Sequence, residues 1–268
     1  MNPTTLESAD TSGPGVHPSA VVGARVSLGP NCEVGPFSHL EGRVTAAGRN
    51  RFGVGVAIGG APMDTEYEGE DTEVRIGSDN TFFEYTTVHS ASGAGNATVI
   101  GDCNFVMAYV HIAHNCRVGS RCVITNGVQL GGHVQVGDRA NIGGLVGIHQ
   151  FCRVGTLAMV GAYSYVNKDI PPYTLAAGNP CRVRGLNAVG LRRAGVSEPA
   201  LAVLRRAFRT VYQSDLNLGQ ALRMIESDLL AQSQPGGGRE QLEELIRFVR
   251  SSERGVELRS GRGEPGWG

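Results

Sequence analysis

The sequence of 268 residues has few charged side chains (18%), few aromatic ones (6%) and no run of 18 apolar residues. Without such a run, no segment is expected to span a bilayer. The first residues, MNPTTLESADTSG, lack the basic and apolar regions of a secretory signal. Because 24 Lys and Arg face 25 Asp and Glu, neither a nucleic-acid-coating surface nor a polybasic membrane anchor is indicated. We therefore expect a cytoplasmic protein that binds no nucleic acid.

Motifs for metal ions, cofactors and covalent catalysis are also scarce. The six cysteines form no C-x-x-C pair, so reduced, buried thiols are a simpler interpretation than a zinc site. The sequence has no Walker loop, no G-x-G-x-x-G between a strand and a helix, and no G-x-S-x-G nucleophile motif. We predict no metal and no cofactor, and direct attack of an acceptor rather than a covalent intermediate.

Glycine, by contrast, is abundant at 39 residues, and a six-residue period dominates the chain. The residue two positions before each periodic aliphatic residue is small or β-branched, and the residue after it is often glycine. An earlier block, from Val16 to Ile58, keeps the same phase. The aliphatic residues that recur without interruption are Ile100, Val106, Ile112, Val118, Ile124, Leu130, Val136, Ile142, Ile148, Val154, Val160 and Val166.

A period of six fits neither a helix of 3.6 residues per turn nor an alternating strand. It does fit a short strand followed by a turn. Three such units close a triangular coil of 18 residues, with the aliphatic and small side chains filling its corners and glycine allowing the turns. Successive coils then stack at about 4.8 Å. The sequence therefore predicts a mainly β protein, a parallel β-helix of hexapeptide repeats.

Breaks in the period divide the chain into regions. An extended or disordered N-terminus, 1–15, precedes the predicted coil, 16–181, which loops outward at 60–74 and 90–97. Paired prolines at 171 and 172 should stop the coil. Helical spacing then predicts three helices in a C-terminal domain, 182–255, the first over 197–214 with Ser197 as its cap. A flexible tail, 256–268, follows.

Histidines converge at one edge of the predicted coil. In an 18-residue coil, Gly132 lies directly above His114. His111 and His133 share this edge, and His149 lies on the same or an adjacent edge. An imidazole beside a bare glycine amide suits acyl transfer to a hydroxyl, because the imidazole removes the proton and the N–H meets the oxyanion. Ordinary surface histidines and a zinc site are the alternatives that the pattern leaves open.

Several segments together resemble the family of UDP-N-acetylglucosamine O-acyltransferases that begin lipid A biosynthesis. The likeness runs from about residue 16 to residue 225. Hexapeptide repeats are common to many acyltransferases, so the specific part is the combination of HIAHNC, GGH, HQFC and PPY. The segments are HPSAVVGARVSLGPNCEVGPFS (17–38), HIAHNC (111–116), LGGHVQVGD (130–138), IGGLVGIHQFCRVG (142–155), VNKDIPPYTLAAGNP (166–180) and GLRRAG (190–195).

The resemblance implies a left-handed β-helix with a C-terminal helical domain, and a homotrimer with active sites between neighbouring subunits. The implied reaction moves a 3-hydroxyacyl chain from acyl carrier protein to the 3-hydroxyl of UDP-N-acetylglucosamine. His114 matches the general base, and Gly132 matches the amide that stabilises the oxyanion. The positions that match substrate-binding residues are Asp64, His111, His133, His149, Gln150, Asn187 and Arg193, and Ala162 falls at the acyl-chain ruler.

Four positions depart from the family pattern. Glu66 stands where Lys is usual, Asn115 where Asp is usual, Val189 in place of an acid, and Ala194 in place of the second residue of an arginine pair. Asn115 resembles the sister N-acyltransferases, although their N-terminal uridine-binding domain has no counterpart in this sequence. The departures concern the nucleotide-sugar side. The acyl length and the acylated atom, oxygen or nitrogen, are therefore left open.

Three hypotheses follow. The first is the O-acyltransferase implied by the resemblance. The second is a relative that uses carrier or coenzyme A thioesters on another UDP-sugar, such as a 3-amino analogue. The third is a non-catalytic hexapeptide-repeat scaffold that binds a metal or a partner. An acidic carrier would dock on arginines that could equally form an ordinary solvated helix face: Arg192, Arg193, Arg205, Arg206 and Arg209.

Overall fold

The computed structural model describes residues 15–257. The segments expected to be extended or flexible at the two ends, 1–15 and 256–268, lie outside this range except for residues 15, 256 and 257. No helix within the described range is long and apolar enough to cross a membrane.

The chain winds into a parallel β-helix whose three walls are β-sheets, here called sheets 1, 2 and 3. Sheet 1 contains Gly15–Val16, Glu33–Val34, Arg51–Phe52, Thr81–Phe82, Phe105–Val106, Val123–Ile124, Asn141–Ile142, Met159–Val160, Thr174–Ala177 and Arg182–Leu186. Sheet 2 contains Val21–Val22, His39–Leu40, Ala57–Gly60, Thr87–His89, His111–Ile112, Gln129–Leu130, Gly147–Ile148 and Tyr165–Val166. Sheet 3 contains Val26–Leu28, Arg43–Ala46, Glu73–Ile76, Ala97–Ile100, Arg117–Val118, Gln135–Val136 and Arg153–Val154.

Turns between the sheets form three edges that run along the prism. Edge 2/3, between sheets 2 and 3, contains residues 113–116, 131–134 and 149–152. Edge 3/1 contains residues 119–122, 137–140 and 155–158, and edge 1/2 contains residues 107–110, 125–128, 143–146 and 161–164. Equivalent positions on one edge lie one coil apart.

The strand register confirms the predicted coil of eighteen residues. His111 pairs with Gln129, and Gln129 pairs with Gly147, all in parallel. The register steps thirty residues from Ala57 to Thr87 and twenty-four from Thr87 to His111. Relative to eighteen, the two insertions therefore amount to twelve and six residues, whole numbers of hexapeptides that keep the phase. The loops themselves cover 61–72 and 90–96, slightly less than the predicted 60–74 and 90–97, because their ends pair as strands.

The periodic side chains fill the interior as the sequence predicts. All twelve aliphatic residues from Ile100 to Val166 are buried, and so are the small residues that precede them, such as Cys116 and Val128. Three buried asparagines extend this column toward the N-terminus. The Asn80 backbone N–H donates to Asn50 Oδ1 at 3.0 Å, and Asn104 N–H donates to Asn80 Oδ1 at 2.9 Å. Buried amides thus satisfy the inner turn groups of successive coils.

Glycine makes few of the turns, contrary to the sequence-based expectation. The left-handed residue of each turn lies three positions after the aliphatic one and is mostly not glycine. Examples are Asn115 (φ 60°), His133 (φ 61°) and Leu145 (φ 56°). The glycines that follow the aliphatic residues instead allow close stacking, since a Cβ on Gly143 would lie 2.5 Å from Ala162 N. Each left-handed residue costs about 1 kcal/mol, which the stacked coils must offset.

The coil also continues past the paired prolines, which were expected to stop it. Thr174–Ala177 pairs in parallel with Met159–Val160, and only then does Arg182–Leu186 add in the antiparallel direction. Pro171 and Pro172 lie in the turn before this strand, where the missing N–H removes no ladder hydrogen bond. The predicted helical region therefore opens with a strand.

Up to residue 257, four α-helices follow: α1 Ala188–Arg193, α2 Glu198–Tyr212, α3 Leu218–Met224 and α4 Arg239–Arg250, with a π-helical segment, Ile225–Leu230, directly after α3. The predicted cap is confirmed, because Ser197 Oγ accepts a hydrogen bond from Ala200 N–H at 3.3 Å. The short α1 has no counterpart in the sequence-based prediction. Phe208 and Tyr212 of α2 pack against the core of the coil, which fixes the helices at its C-terminal end.

Candidate active site

His114 and Gly132 lie one coil apart on edge 2/3 and touch. The backbone N–H of His133 donates to His114 O at 3.0 Å, which holds the two turns in register. An ideal Cβ on Gly132 would lie 2.5 Å from His114 Nε2 and 2.6 Å from its Cε1. The imidazole therefore occupies space that only a glycine leaves free. The His114 side chain keeps 12% of its surface exposed, so the ring still reaches solvent.

The Gly132 N–H is available for a ligand. Within residues 15–257 no hydrogen bond engages this donor. Two equivalent amides on edge 3/1 are satisfied by side chains, since Asp102 N–H donates to Ser120 Oγ at 3.0 Å and Ser120 N–H donates to Asp138 Oδ1 at 2.8 Å. A free N–H beside an imidazole is the arrangement that an oxyanion requires.

Asn115 fixes the tautomer of His114. Its amide orientation is set by Ser92, whose N–H donates to Asn115 Oδ1 at 2.9 Å and whose carbonyl accepts from Asn115 Nδ2 at 3.0 Å. Asn115 Oδ1 is therefore an acceptor, and it lies 2.9 Å from His114 Nδ1. The ring proton must be on Nδ1 to donate to it. The lone pair on Nε2 is then directed at the space beside Gly132.

Asp64 reaches the same ring from the first loop. Its Oδ2 lies 3.8 Å from His114 Nδ1 and accepts a hydrogen bond from Ser92 Oγ at 2.6 Å. The hydrogen bond from Ser92, followed by that from the Glu66 N–H, lowers the pKa of Asp64 below its ordinary value. The carboxylate is therefore ionised at neutral pH.

Two further histidines beside the ring are neutral at neutral pH. Burial, with a smaller contribution from the neighbouring His89 and His114, lowers the pKa of His111 to about 4. Its Nδ1 lies 2.8 Å from Thr87 Oγ1. Burial also lowers the pKa of His133, whose ring meets His114 edge to face at 5.4 Å. Both imidazoles can therefore offer hydrogen bonds without adding charge.

His149 and Gln150 lie one coil further along edge 2/3. Phe151 N–H donates to Gly132 O at 2.9 Å, which places their turn against that of Gly132. His149 Nδ1 lies 3.1 Å from Arg254 Nη2. Sequence reasoning missed Arg254, because a contact across 105 residues has no local signal.

The other predicted site residues lie on different edges of the same chain. Asn187 caps α1, since its Oδ1 accepts from Gly190 N–H at 3.0 Å, and its Nδ2 donates to Leu157 O on edge 3/1 at 2.9 Å. Arg193 on α1 is exposed, and Ala162 is exposed on edge 1/2. One chain thus brings together Asp64, His111, His114, Gly132, His133, His149 and Gln150, but not these three residues.

The positions that depart from the family pattern lie in different parts of the chain. Glu66 is in the first loop next to Asp64, whose Oδ1 accepts its N–H at 3.1 Å. Val189 is exposed on α1, and the carbonyl of Ala194 accepts from Arg139 at 3.3 Å. Sequence reasoning missed Ser92, because the loop segment SASGAGNA carries no periodic signal. Across residues 15–257, no group of three or more His, Cys, Asp or Glu side chains is arranged to hold a metal ion.

Sequence comparisons identify the family. Residues 169–257 match the model described as Udp N-acetylglucosamine O-acyltransferase, domain 2, and residues 97–132 match the bacterial transferase hexapeptide model of six repeats. The acyl-[acyl-carrier-protein]–UDP-N-acetylglucosamine O-acyltransferase of Gloeothece citriformis is 44% identical over 188 residues, or 70% of this chain and 68% of its own. The Burkholderia mallei (strain SAVP1) enzyme of the same name is 42% identical over 77% of this chain and 78% of its own.

Solved structures agree with these relatives. The UDP-N-acetylglucosamine acyltransferase from Campylobacter jejuni matches with a TM-score of 0.80 and 30% identity, over 91% of this chain and all of that one (100%). The Arabidopsis UDP-N-acetylglucosamine acyltransferase matches with a TM-score of 0.77 and 30% identity, over 90% of this chain and 97% of that one. The coil is thus the left-handed β-helix that the resemblance implied. The chain belongs to the UDP-N-acetylglucosamine O-acyltransferase family.

Proposed function

We propose that this chain transfers a 3-hydroxyacyl group from acyl carrier protein to the 3-hydroxyl of UDP-N-acetylglucosamine, the first step of lipid A biosynthesis. The observation that carries the proposal is the contact of His114 with Gly132, where an ideal Cβ would lie 2.5 Å from Nε2, while Nδ1 lies 2.9 Å from Asn115 Oδ1. Family membership supports the reaction class and both substrates.

In this mechanism His114 is the general base. Nε2 removes the proton of the acceptor hydroxyl as its oxygen attacks the thioester carbonyl. The carbonyl oxygen becomes an oxyanion and accepts a hydrogen bond from the Gly132 N–H. Collapse of this intermediate breaks the carbon–sulfur bond, and the imidazolium returns its proton to the thiolate of the carrier. The ester and the free carrier thiol are released.

The other residues around His114 would bind the acceptor. Asp64 and the neutral His111 and His133 surround His114, and His149 and Gln150 extend edge 2/3 by one coil. Neutral imidazoles suit the hydroxyl and carbonyl groups of a sugar, because they donate and accept hydrogen bonds without a desolvated charge.

We also propose a homotrimer in which a neighbouring subunit completes the site. Asn187 and Arg193 would hold the nucleotide diphosphate, and Ala162 would limit the acyl chain, although they lie away from His114 in their own chain. Edge 1/2 carries a row of exposed apolar side chains that would suit burial between subunits: Phe37, Tyr85, Tyr109, Leu145 and Tyr163. A sedimentation mass near that of a monomer would contradict the trimer.

The proposal also includes a docking surface for the acyl carrier protein. The acidic carrier would dock on the arginines of α1 and α2, although Arg192 already pairs with Glu198 at 2.8 Å. A KM for the carrier that rises strongly with salt would support docking, and a flat salt profile would oppose it.

We infer a cytoplasmic location, which the six free cysteines support because a reducing compartment preserves thiols.

The test is the His114→Ala variant. Loss of the base should lower kcat by roughly 10²–10⁴. Turnover equal to that of the unmodified protein would remove His114 from this role. Mass spectrometry of the products from a panel of UDP-sugars identifies the acceptor. Transfer to a 3-amino sugar alone would replace the O-acyltransferase by its N-acylating alternative, while nucleotide-sugar binding without turnover would favour a scaffold.

A further inference from the structure

The second loop, 90–96, folds over the turn of His114 and is held there by several hydrogen bonds. Ser92 exchanges two hydrogen bonds with Asn115, and its carbonyl also accepts from Asn96 Nδ2 at 2.9 Å. The neighbouring Gly93 N–H donates to Glu70 Oε1 at 3.0 Å, which ties the second loop to the first. The position of Ser92 is therefore fixed by contacts on both sides.

The Ser92 hydroxyl lies near two acceptors and the Nδ1 atom of His114, and it has one proton to donate. Oγ lies 2.6 Å from Asp64 Oδ2, 3.3 Å from Asn115 Oδ1 and 3.5 Å from His114 Nδ1. The shortest contact, to a carboxylate, takes the proton. The oxygen of Ser92 then turns its lone pairs toward the ring, so that Nδ1–H faces both Asn115 Oδ1 and Ser92 Oγ.

The groups around His114 leave one source of negative charge. Asn115 is neutral, and the depressed pKa values of His111 and His133 keep both rings uncharged at neutral pH. Glu70 is directed at the Gly93 amide rather than at the ring. Among the described residues His114 makes a single ion pair, with Asp64 at 3.8 Å.

We propose that Asp64, acting through the Ser92 hydroxyl, is the counter-charge that stabilises the protonated form of His114, whereas Asn115 only selects the tautomer. Asp64 and Ser92 are positioning residues in this respect. The proposal rests on the proposed role of His114 as the base. In this proposal the contact between the two loops contributes to catalysis. Asp64 supplies the negative charge beside the base that the uncharged Asn115 lacks.

The sign of the pH effect follows from the charges. An ionised Asp64 favours the imidazolium form of His114 relative to a site without that charge. Asp64→Asn removes the charge, and Ser92→Ala removes the bridge. Both changes should therefore move the acidic limb of the kcat/KM profile to lower pH. Asn115→Asp adds a charge at the ring and should move the limb to higher pH.

NMR titration of histidine-labelled protein tests this coupling directly. The midpoint of the pH titration of the His114 ring signals should move to lower pH in Asp64→Asn, and by a smaller amount in Ser92→Ala. An unchanged midpoint in Asp64→Asn would overturn the proposal. Because the titration needs no substrate, it separates a failed coupling from a wrong acceptor or reaction.

Kinetics then separate positioning from structural damage. Ser92→Ala should lower kcat about tenfold with little change in KM for the sugar, and Ser92→Thr, which keeps the hydroxyl, should restore it. Ser90→Ala is the matched control, because Ser90 lies in the same loop but contacts Gly60 and Thr72 rather than His114. If Ser90→Ala shifted the pH limb as far as Ser92→Ala, loop disruption would replace the proposed coupling.

Discussion

The turns of edges 2/3 and 3/1 have the same backbone geometry. They differ in the hydrogen bonds that their outer backbone N–H groups make. Inside, Cys116 Sγ donates to Gly131 O and Cys122 Sγ donates to Gly137 O, each at 3.2 Å. The left-handed residues, Asn115 on one edge and Arg121 on the other, both have φ of 60°. Outside, the Ser120 N–H is occupied by Asp138, whereas the Gly132 N–H is free and the His114 imidazole lies beside this glycine.

This difference separates the scaffold from the site. The shared interior and turn geometry show that stacking alone creates no reactive centre, because edge 3/1 stacks equally well. Reactivity arises where no side chain of the adjacent coil occupies the outer N–H of a turn and a base lies beside that N–H, as His114 does beside Gly132. The comparison therefore predicts that outer turn residues can be exchanged between edges while the fold is retained, but that the exchange abolishes catalytic activity.

Among changes that leave His114 in place, the largest expected effect comes from adding one methyl group to edge 2/3. Gly132→Ala places a Cβ where His114 Nε2 now lies, so the ring must move away from the amide. We expect kcat/KM to fall by about 10²–10³ with retained folding, measured by steady-state kinetics and circular dichroism.

Gly144→Ala is the matched control for this change. Gly144 has the same turn position on edge 1/2, and its nearest neighbour would be Asn126 O at an ordinary 3.5 Å. Equal losses of activity in Gly132→Ala and Gly144→Ala would show that the coil, rather than the contact with His114, is sensitive to the methyl group.

A second change would convert edge 2/3 toward edge 3/1. Residue 150 stands one coil above Gly132 as Asp138 stands above Ser120. Gln150→Asp should therefore occupy the Gly132 N–H and repel the oxyanion, lowering kcat about 10²-fold. Gln150→Ala is the control, because it removes the glutamine side chain without adding an acceptor and so measures the effect of that removal alone. A loss in Gln150→Asp no greater than in Gln150→Ala would contradict the assigned role of this donor.

The smallest effect concerns stability at edge 2/3. The pKa of His111 is about 4 in the folded chain and about 6.5 in the unfolded one, so the folded state binds this proton less readily. Stability is complete above pH 6.5 and falls as the pH drops toward 4. His111→Asn should flatten this decline in urea unfolding by about 1 kcal/mol, less than the full pKa difference implies because water screens the partly exposed ring. An unchanged decline would place the titrating group elsewhere.

The interior could be predicted from the sequence, whereas much of the outer surface could not. Leu130 and Ile142 reveal their burial because a buried position recurs every sixth residue, and that period also stacks Gly132 on His114. Ser92 escapes prediction because its partners, Asp64 and Asn115, come from different coils and its loop has no period. The left-handed turn residues were assigned to glycine wrongly, since cooperative stacking overrides the local preference of residues such as Leu145.

The most direct measurement is a crystal structure with the sugar nucleotide and a non-reactive acyl-carrier mimic bound together. The account predicts that Gly132 N lies within about 3.1 Å of the acyl carbonyl oxygen, and that His114 Nε2 lies within about 3.2 Å of the acceptor atom of the sugar. A bound carbonyl oxygen directed away from Gly132, or an acceptor atom out of reach of His114, would contradict it.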